Sequence, residues 1–197
     1  TKAFDPENCL ICATGPVAGF TGFAGSRWQI CGKSPQGDRE TFSYSNLGGR
    51  WGVMLKYAGY DGLIIKGKGD KPVYIVIKDD SVEIKDASRF WGMSAFHATD
   101  ALKAEHGKDF SILTIGKAAE NLVVFATVLA EDRSSGSAGL GAVMGSKLLK
   151  AVIVAGDKRP VAANPDKLKI LASQIREIHK IADYDEGMWR INDTFKK

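Results

Sequence analysis

No run of apolar residues in this sequence approaches the roughly 20 that a membrane-spanning helix needs, so no membrane span is expected. No basic stripe is present either. The 27 Lys and Arg against 23 Asp and Glu leave a net charge of +4, scattered along the chain. Nucleic acid is therefore not an expected partner, although the mild excess suits an anionic ligand. A Walker-type phosphate loop is missing, because Gly145-Ser146-Lys147 has its order reversed. The dinucleotide fingerprint is missing too: the glycines from Gly15 to Gly25 have the wrong spacing and run into a strand rather than a helix. The three cysteines, Cys9, Cys12 and Cys31, are an odd number and fit a reducing, cytoplasmic setting. Cys9 and Cys12 have the spacing of a metal pair. No second pair and no nearby histidine completes a site, so these thiols are expected in the core. No signal peptide is expected, and the loop-like start (Thr1 to Asn8) reads as part of a longer protein.

Glycine is what the chain has in excess, 22 against six prolines, and it lies beside apolar helix and strand patterns. That placement points to tight backbone packing rather than disorder. Strands are expected at 9–14, 27–33, 63–65 (buried), 110–115, 123–130 and 150–154. A hairpin is expected over 72–84, turning at Asp79-Asp80. Asn46-Leu47-Gly48-Gly49 is expected to open a helix through Trp51 to Ala58. Ser94 should cap a helix of about 13 residues. Gly136 to Gly141 should lead into a short helix. Residues 156–165 read as a linker before an amphipathic helix over 165–181, with Leu168, Leu171, Ile175, Ile178 and Ile181 on one face.

An internal repeat organises these pieces. Gly52 to Gly67 aligns without a gap on Gly141 to Gly156: the end of a Gly-rich loop, a short helix, then an apolar strand ending in glycine. The expected fold is α+β, a pseudo-twofold domain of two β-sheets with Gly-rich loop–helix–strand units. A helix start leaves amide N–H groups unpaired at the positive end of its dipole. Glycine lets an anion approach them, and an arginine adds a forked donor. Arg27 opens one half and Arg133 follows the upstream strand of the other. Two such loops related by a pseudo-twofold suit a ligand with two phosphate ends. Of the remaining candidates, His97 and His106 are expected on the solvated surface. Trp28, Trp51, Trp91 and Trp189 are expected in core or interdomain packing, with Trp51 near enough to the loop to border a ligand.

Several stretches resemble one family. They are Pro6 to Pro16, Lys33-Ser34-Pro35, Asn46 to Gly49, Leu55 to Asp61, Lys71 to Tyr74, Asp86-Ala87-Ser88, Trp91-Gly92, Glu120-Asn121-Leu122 and above all Gly139 to Lys147. Together they resemble the N-terminal domain of the tungsten-dependent aldehyde ferredoxin oxidoreductases over essentially the whole chain. The resemblance implies a base of two sheets under a tungsten (or molybdenum) bis-pterin, with a magnesium ion bridging the two pterin phosphates. By residue, it implies phosphate contacts from Arg27 and Arg133. It also implies backbone against the pterin at Gly48 and Gly136, and magnesium held by the backbone carbonyls of Asn46 and Ser134. It departs from the family's usual second loop, Arg-Ala-Ala-Gly-Arg-Gly-Gly, which here reads Arg133-Ser-Ser-Gly-Ser-Ala-Gly139.

The domains implied are 1–157, the bis-pterin-binding domain lacking its first strands, and 158–197, a linker and the start of a following helical domain. No catalytic residue is expected in this chain, and the 4Fe-4S cluster is expected only from later domains. The implied partners are ferredoxin as electron acceptor, the protein's own downstream domains and a homodimer mate. Three functions stay open. One is aldehyde oxidation to carboxylic acids. The second is the same domain in a benzoyl-CoA reductase catalytic subunit. The third is a non-catalytic module that binds a phosphate ligand.

Overall fold

The computed structural model describes residues 1–23, 25–130 and 134–181. Ten strands and five helices follow in order among them: β1 (Leu10–Thr14), β2 (Trp28–Lys33), β3 (Phe42–Leu47), α1 (Trp51–Tyr57), β4 (Gly62–Ile65), β5 (Val73–Lys78), β6 (Ser81–Asp86), α2 (Ala95–His106), β7 (Ser111–Thr114), α3 (Lys117–Glu120), β8 (Val128–Ala130), β9 (Ser134–Gly136), α4 (Leu140–Ser146), β10 (Leu149–Ala155) and α5 (Pro165–Ile181). Two compact units result, one of residues 1–19 with 25–159, the other of 20–24 with 160–197.

The larger unit holds two sheets, of order β3-β2-β1-β4 and β6-β5-β10-β7-β8-β9. Their pairings express the repeat. β1 lies antiparallel between β2 and β4, with β3 antiparallel beyond β2. β7 lies antiparallel between β8 and β10, with β9 antiparallel beyond β8. Trp51 to Tyr57 (α1) and Leu140 to Ser146 (α4) occupy equivalent places before β4 and β10. The second sheet also carries the hairpin β5–β6, whose β5 runs parallel to β10. Its turn places Asp79 at φ 49°, the left-handed region that a two-residue hairpin turn calls for.

The core lies between the sheets. Leu10, Cys12, Trp28, Ile30 and Leu47 come from one sheet, and Leu113, Val128, Ala130, Val152 and Val154 from the other. The helices fill the gap. α1 touches β1, β7 and β10, and α4 touches β1, β2, β8 and β10. All seven residues of α4 are buried. Each large apolar side chain taken wholly out of water contributes about 1.5–3 kcal/mol. β10 is buried along its whole length because β5 and β7 flank it and both its faces are covered, which is why every residue in it but Lys150 is apolar. A second core, of Tyr74, Val76, Phe90, Leu102, Phe110, Ile112 and Ile153, packs under α2 on the far face of the second sheet. Ser94 caps α2 by accepting the His97 amide.

Several expectations are corrected. Asn46 and Leu47 end strand β3 rather than opening a helix, and Ser134 to Gly136 form strand β9. The expected strand 123–130 shortens to β8, because residues 121–127 turn around α3. β4 is an edge strand, not a buried one, and Ile64 is 67% exposed. Trp51 does not border the surface: it is fully buried against Trp28 (ring centroids 4.4 Å apart) and donates to the Val152 carbonyl at 3.0 Å. His106 is not solvated. It packs edge-on between Tyr74 and Phe110, and its Nε2 lies 3.0 Å from the Tyr74 hydroxyl. Burial, with Lys85 and Arg89 nearby, holds its pKa below the ordinary value. Trp189 and the His179 side chain lie outside the described residues. In the smaller unit, α5 takes the span expected of it.

Candidate functional site

β3 and β9 each pair on one side only, and they meet edge to edge. The Gly-rich loops that follow them therefore converge on one seam, although they are far apart in sequence. Two hydrogen bonds close the seam. The Gly48 amide donates to Ser134 Oγ at 2.8 Å, and the Ser137 amide donates to Ser45 Oγ at 3.1 Å. A third link comes from the loop after β2, where the buried Ser34 hydroxyl donates to the Ala138 carbonyl at 2.7 Å.

Of the residues expected to form a site, the structure brings Arg27, Asn46, Gly48 and Ser134 to this seam. Arg27 is exposed, and its Nη1 lies 3.8 Å from the point where a Cβ on Gly48 would stand. Gly48 is held from two sides, since its carbonyl accepts from Trp28 Nε1 at 3.2 Å. Asn46 is exposed one residue beyond Ser45. Gly136 stands apart from the open side. A Cβ there would lie 2.8–3.0 Å from side-chain atoms of Val128, Ile30 and Leu47, so glycine lets β9 close on the first sheet. Arg133 lies outside the described residues.

The start of α4 does not supply the donors that the sequence suggests. At α4 the first amides are already taken: Leu140 N–H by the Ser137 carbonyl and Gly141 N–H by the Ala126 carbonyl. Gly139, at φ 66°, permits a close approach to the Val124 carbonyl. The polar groups at the seam are instead strand-end ones: the Arg27 guanidinium beside Gly48 and the Ser45 and Ser134 hydroxyls, with Asn46 and Ser137 exposed near them in the chain. Ser45 and Ser137 were missed from sequence. Carrying the repeat spacing upstream from Gly52 and Gly141 finds them, since it sets Ser45 against Ser134 and Gly48 against Ser137.

A guanidinium with several hydroxyl donors is the set that phosphate oxygens take. Hydroxyl, amide and carbonyl oxygens also suit a hard cation such as magnesium. Among the described residues no group of three or more His, Cys, Asp or Glu could hold a metal ion. Cys12 is fully buried, and burial pushes its thiol well above the ordinary range. Cys9 precedes β1 and is half-buried, whereas Cys12 lies within the strand and is buried. No helix among the described residues is long and apolar enough to cross a membrane.

The comparisons with known proteins place the chain in one family. The family model for the aldehyde ferredoxin oxidoreductase N-terminal domain matches residues 1–156. A tungsten-containing aldehyde ferredoxin oxidoreductase of Pyrococcus abyssi is 44% identical over 180 residues, covering 90% of this chain and 29% of its own length. One from Thermococcus kodakarensis is 45% identical over 179 residues, covering 89% of this chain and 29% of its own. The WOR-like subunit of an aliphatic sulfonate oxidoreductase of Pyrococcus furiosus is 36% identical, covering 91% and 31%. Among solved structures, the active-site complex BamBC of benzoyl coenzyme A reductase with 1,5-dienoyl-CoA superposes with a TM-score of 0.87 at 39% identity. That match covers 91% of this chain and 27% of the other. The chain thus spans less than a third of the length of these relatives. It belongs to the aldehyde ferredoxin oxidoreductase family and corresponds to its N-terminal domain.

Proposed function

We propose that this chain is the cofactor-binding part of a tungsten bis-pterin oxidoreductase that oxidises aldehydes to carboxylic acids, with ferredoxin as electron acceptor. The observation that carries the reading is the meeting of the two repeats at one seam, with Arg27 over Gly48 and Ser134 bonded to its amide. One seam built from two equivalent halves suits a ligand with two phosphate ends. Arg27 and Arg133 would neutralise phosphate, and Gly48 would admit the ligand against the backbone. Asn46 and Ser134 would offer carbonyls to a bridging magnesium. Gly136 acts indirectly, by letting β9 close against the first sheet.

The bound cofactor, with tungsten or molybdenum, supplies the redox chemistry. The residues of this chain bind and orient it and form one wall of the site. Residues 1–157 are assigned this role, and 158–197 are taken as the linker and start of the next, helical domain. The 4Fe-4S cluster and the groups that handle substrate protons belong to parts of the protein beyond this chain. A cytoplasmic location and a homodimer complete the proposal.

Anaerobic purification of the full-length protein, followed by metal and pterin analysis, tests it. Absence of tungsten, molybdenum and pterin would refute it. A second reading, reduction of an aromatic CoA thioester, is favoured by the likeness to BamBC. Turnover of aldehydes but not of aromatic CoA thioesters is the expected result, and the reverse selects the second reading.

A further inference from the structure

We infer that Ser45 and Ser134 form a reciprocal clasp that makes the two halves of the seam one site and presents their hydroxyl protons to the ligand. The two hydrogen bonds are the same bond made twice. By the spacing that sets Trp51 against Leu140, Ser45 corresponds to Ser134 and Gly48 to Ser137. The hydroxyl of each half accepts the amide of the other: Gly48 N–H to Ser134 Oγ at 2.8 Å, Ser137 N–H to Ser45 Oγ at 3.1 Å. A serine oxygen that accepts an amide hydrogen keeps its own hydrogen to donate. Both serines are half-buried, beside exposed Asn46, Ser135 and Ser137.

The amides therefore reach a phosphate oxygen through the serines. An amide that donates to a hydroxyl polarises that hydroxyl as a donor. Each half also fixes the loop of the other, so an anion that orders one loop orders both. Ser45 and Ser134 are thus positioning residues for the cofactor phosphates. This inference rests on the functional reading above.

The test uses the full-length protein with Ser45→Ala, Ser134→Ala, the double variant, and Ser45→Thr and Ser134→Thr. Hydrogen exchange is read at single residues by mass spectrometry, and pterin retained per chain is measured after extended gel filtration. Ser45→Ala should speed exchange at Ser137 about fivefold, the factor for one net hydrogen bond of ~1 kcal/mol, and leave Gly48 unchanged. Ser134→Ala should speed Gly48 and leave Ser137 unchanged. The double variant should lose most of its pterin, and the threonine variants should keep both protection and pterin. A merely local loosening would not produce this crossed pattern. Exchange that is unchanged or uncrossed overturns the clasp. A crossed pattern with full pterin retention in the double variant overturns its role in positioning. A wild-type protein without pterin overturns the functional reading and that role together, and the exchange pattern alone then decides whether the clasp exists.

Discussion

Lys150→Met tests how the domain holds its polar core. Lys150 is fully buried on β10, and its Nζ donates to Glu120 Oε1 and, at 2.9 Å, to the Met93 carbonyl. Glu120, with a side chain only 4% exposed, accepts the Gly92 amide on its other oxygen at 2.8 Å. The pair therefore ties β10, α3 and the turn at 91–93 together. Methionine keeps the length of the side chain and removes the charge. The carboxylate is then buried with one donor instead of two, and breaking such a pair costs about 3–5 kcal/mol. For a domain of this size that lowers Tm by roughly 10 °C or more. Lys150→Met/Glu120→Leu removes both charges and leaves only the Met93 carbonyl and the Gly92 amide to be rehoused, at about 1 kcal/mol each. The double variant should thus recover roughly a third to three-fifths of the loss. Urea unfolding of wild type, both singles and the double measures this. A Lys150→Met protein within ~1 kcal/mol of wild type, or a double no more stable than the single, would show that the buried pair does not hold these elements together.

Other consequences are as direct. Burial lowers the Lys150 pKa in the fold, so the unfolded chain binds the extra proton between that value and about 10.5. Stability from this group should rise with pH through that window, and Lys150→Met should flatten the rise in pH-dependent unfolding. Native alkylation at pH 8 followed by mass spectrometry should leave Cys12 unmodified until denaturant is added, because its thiol is both inaccessible and held protonated. Gly136→Val should cost about 1–3 kcal/mol by overpacking Ile30, Leu47 and Val128, and thermal melts should show it. Arg27→Ala should leave Tm within about 1 °C, since the side chain is exposed, yet lower the pterin retained by the full-length protein. Equal retention would remove Arg27 from the site.

The sequence was most legible where pattern and burial coincide. The apolar run 151–155 of β10, the Ser94 cap and the span of α5 could all be read directly. The repeat could be read as well, because its helices and final strands are its most apolar parts. The strands β3 and β9 were hidden. Phe42-Ser-Tyr-Ser-Asn-Leu places its aromatics outward, where Phe42 and Tyr44 are 68% and 60% exposed, and Ser134-Ser135-Gly136 has no apolar side chain to reveal it. Their edge-to-edge meeting depends on tertiary packing that no local pattern carries. The glycines misled for a related reason. Gly139 and Gly136 permit close packing, whereas an open helix start was expected of their loop. His106 was misplaced because a polar helix end says nothing about the Tyr74 and Phe110 rings it meets across the second sheet.

One seam, made twice from the same sequence unit, is proposed to hold both phosphates of the cofactor. A structure of the full-length protein purified without oxygen, at a resolution that shows phosphate groups, tests it most directly. Two phosphates are expected in the seam between β3 and β9, one within about 3.2 Å of the Arg27 guanidinium and each within reach of a clasp serine. Phosphates bound anywhere else, or a pterin that leaves the seam to solvent, would contradict it.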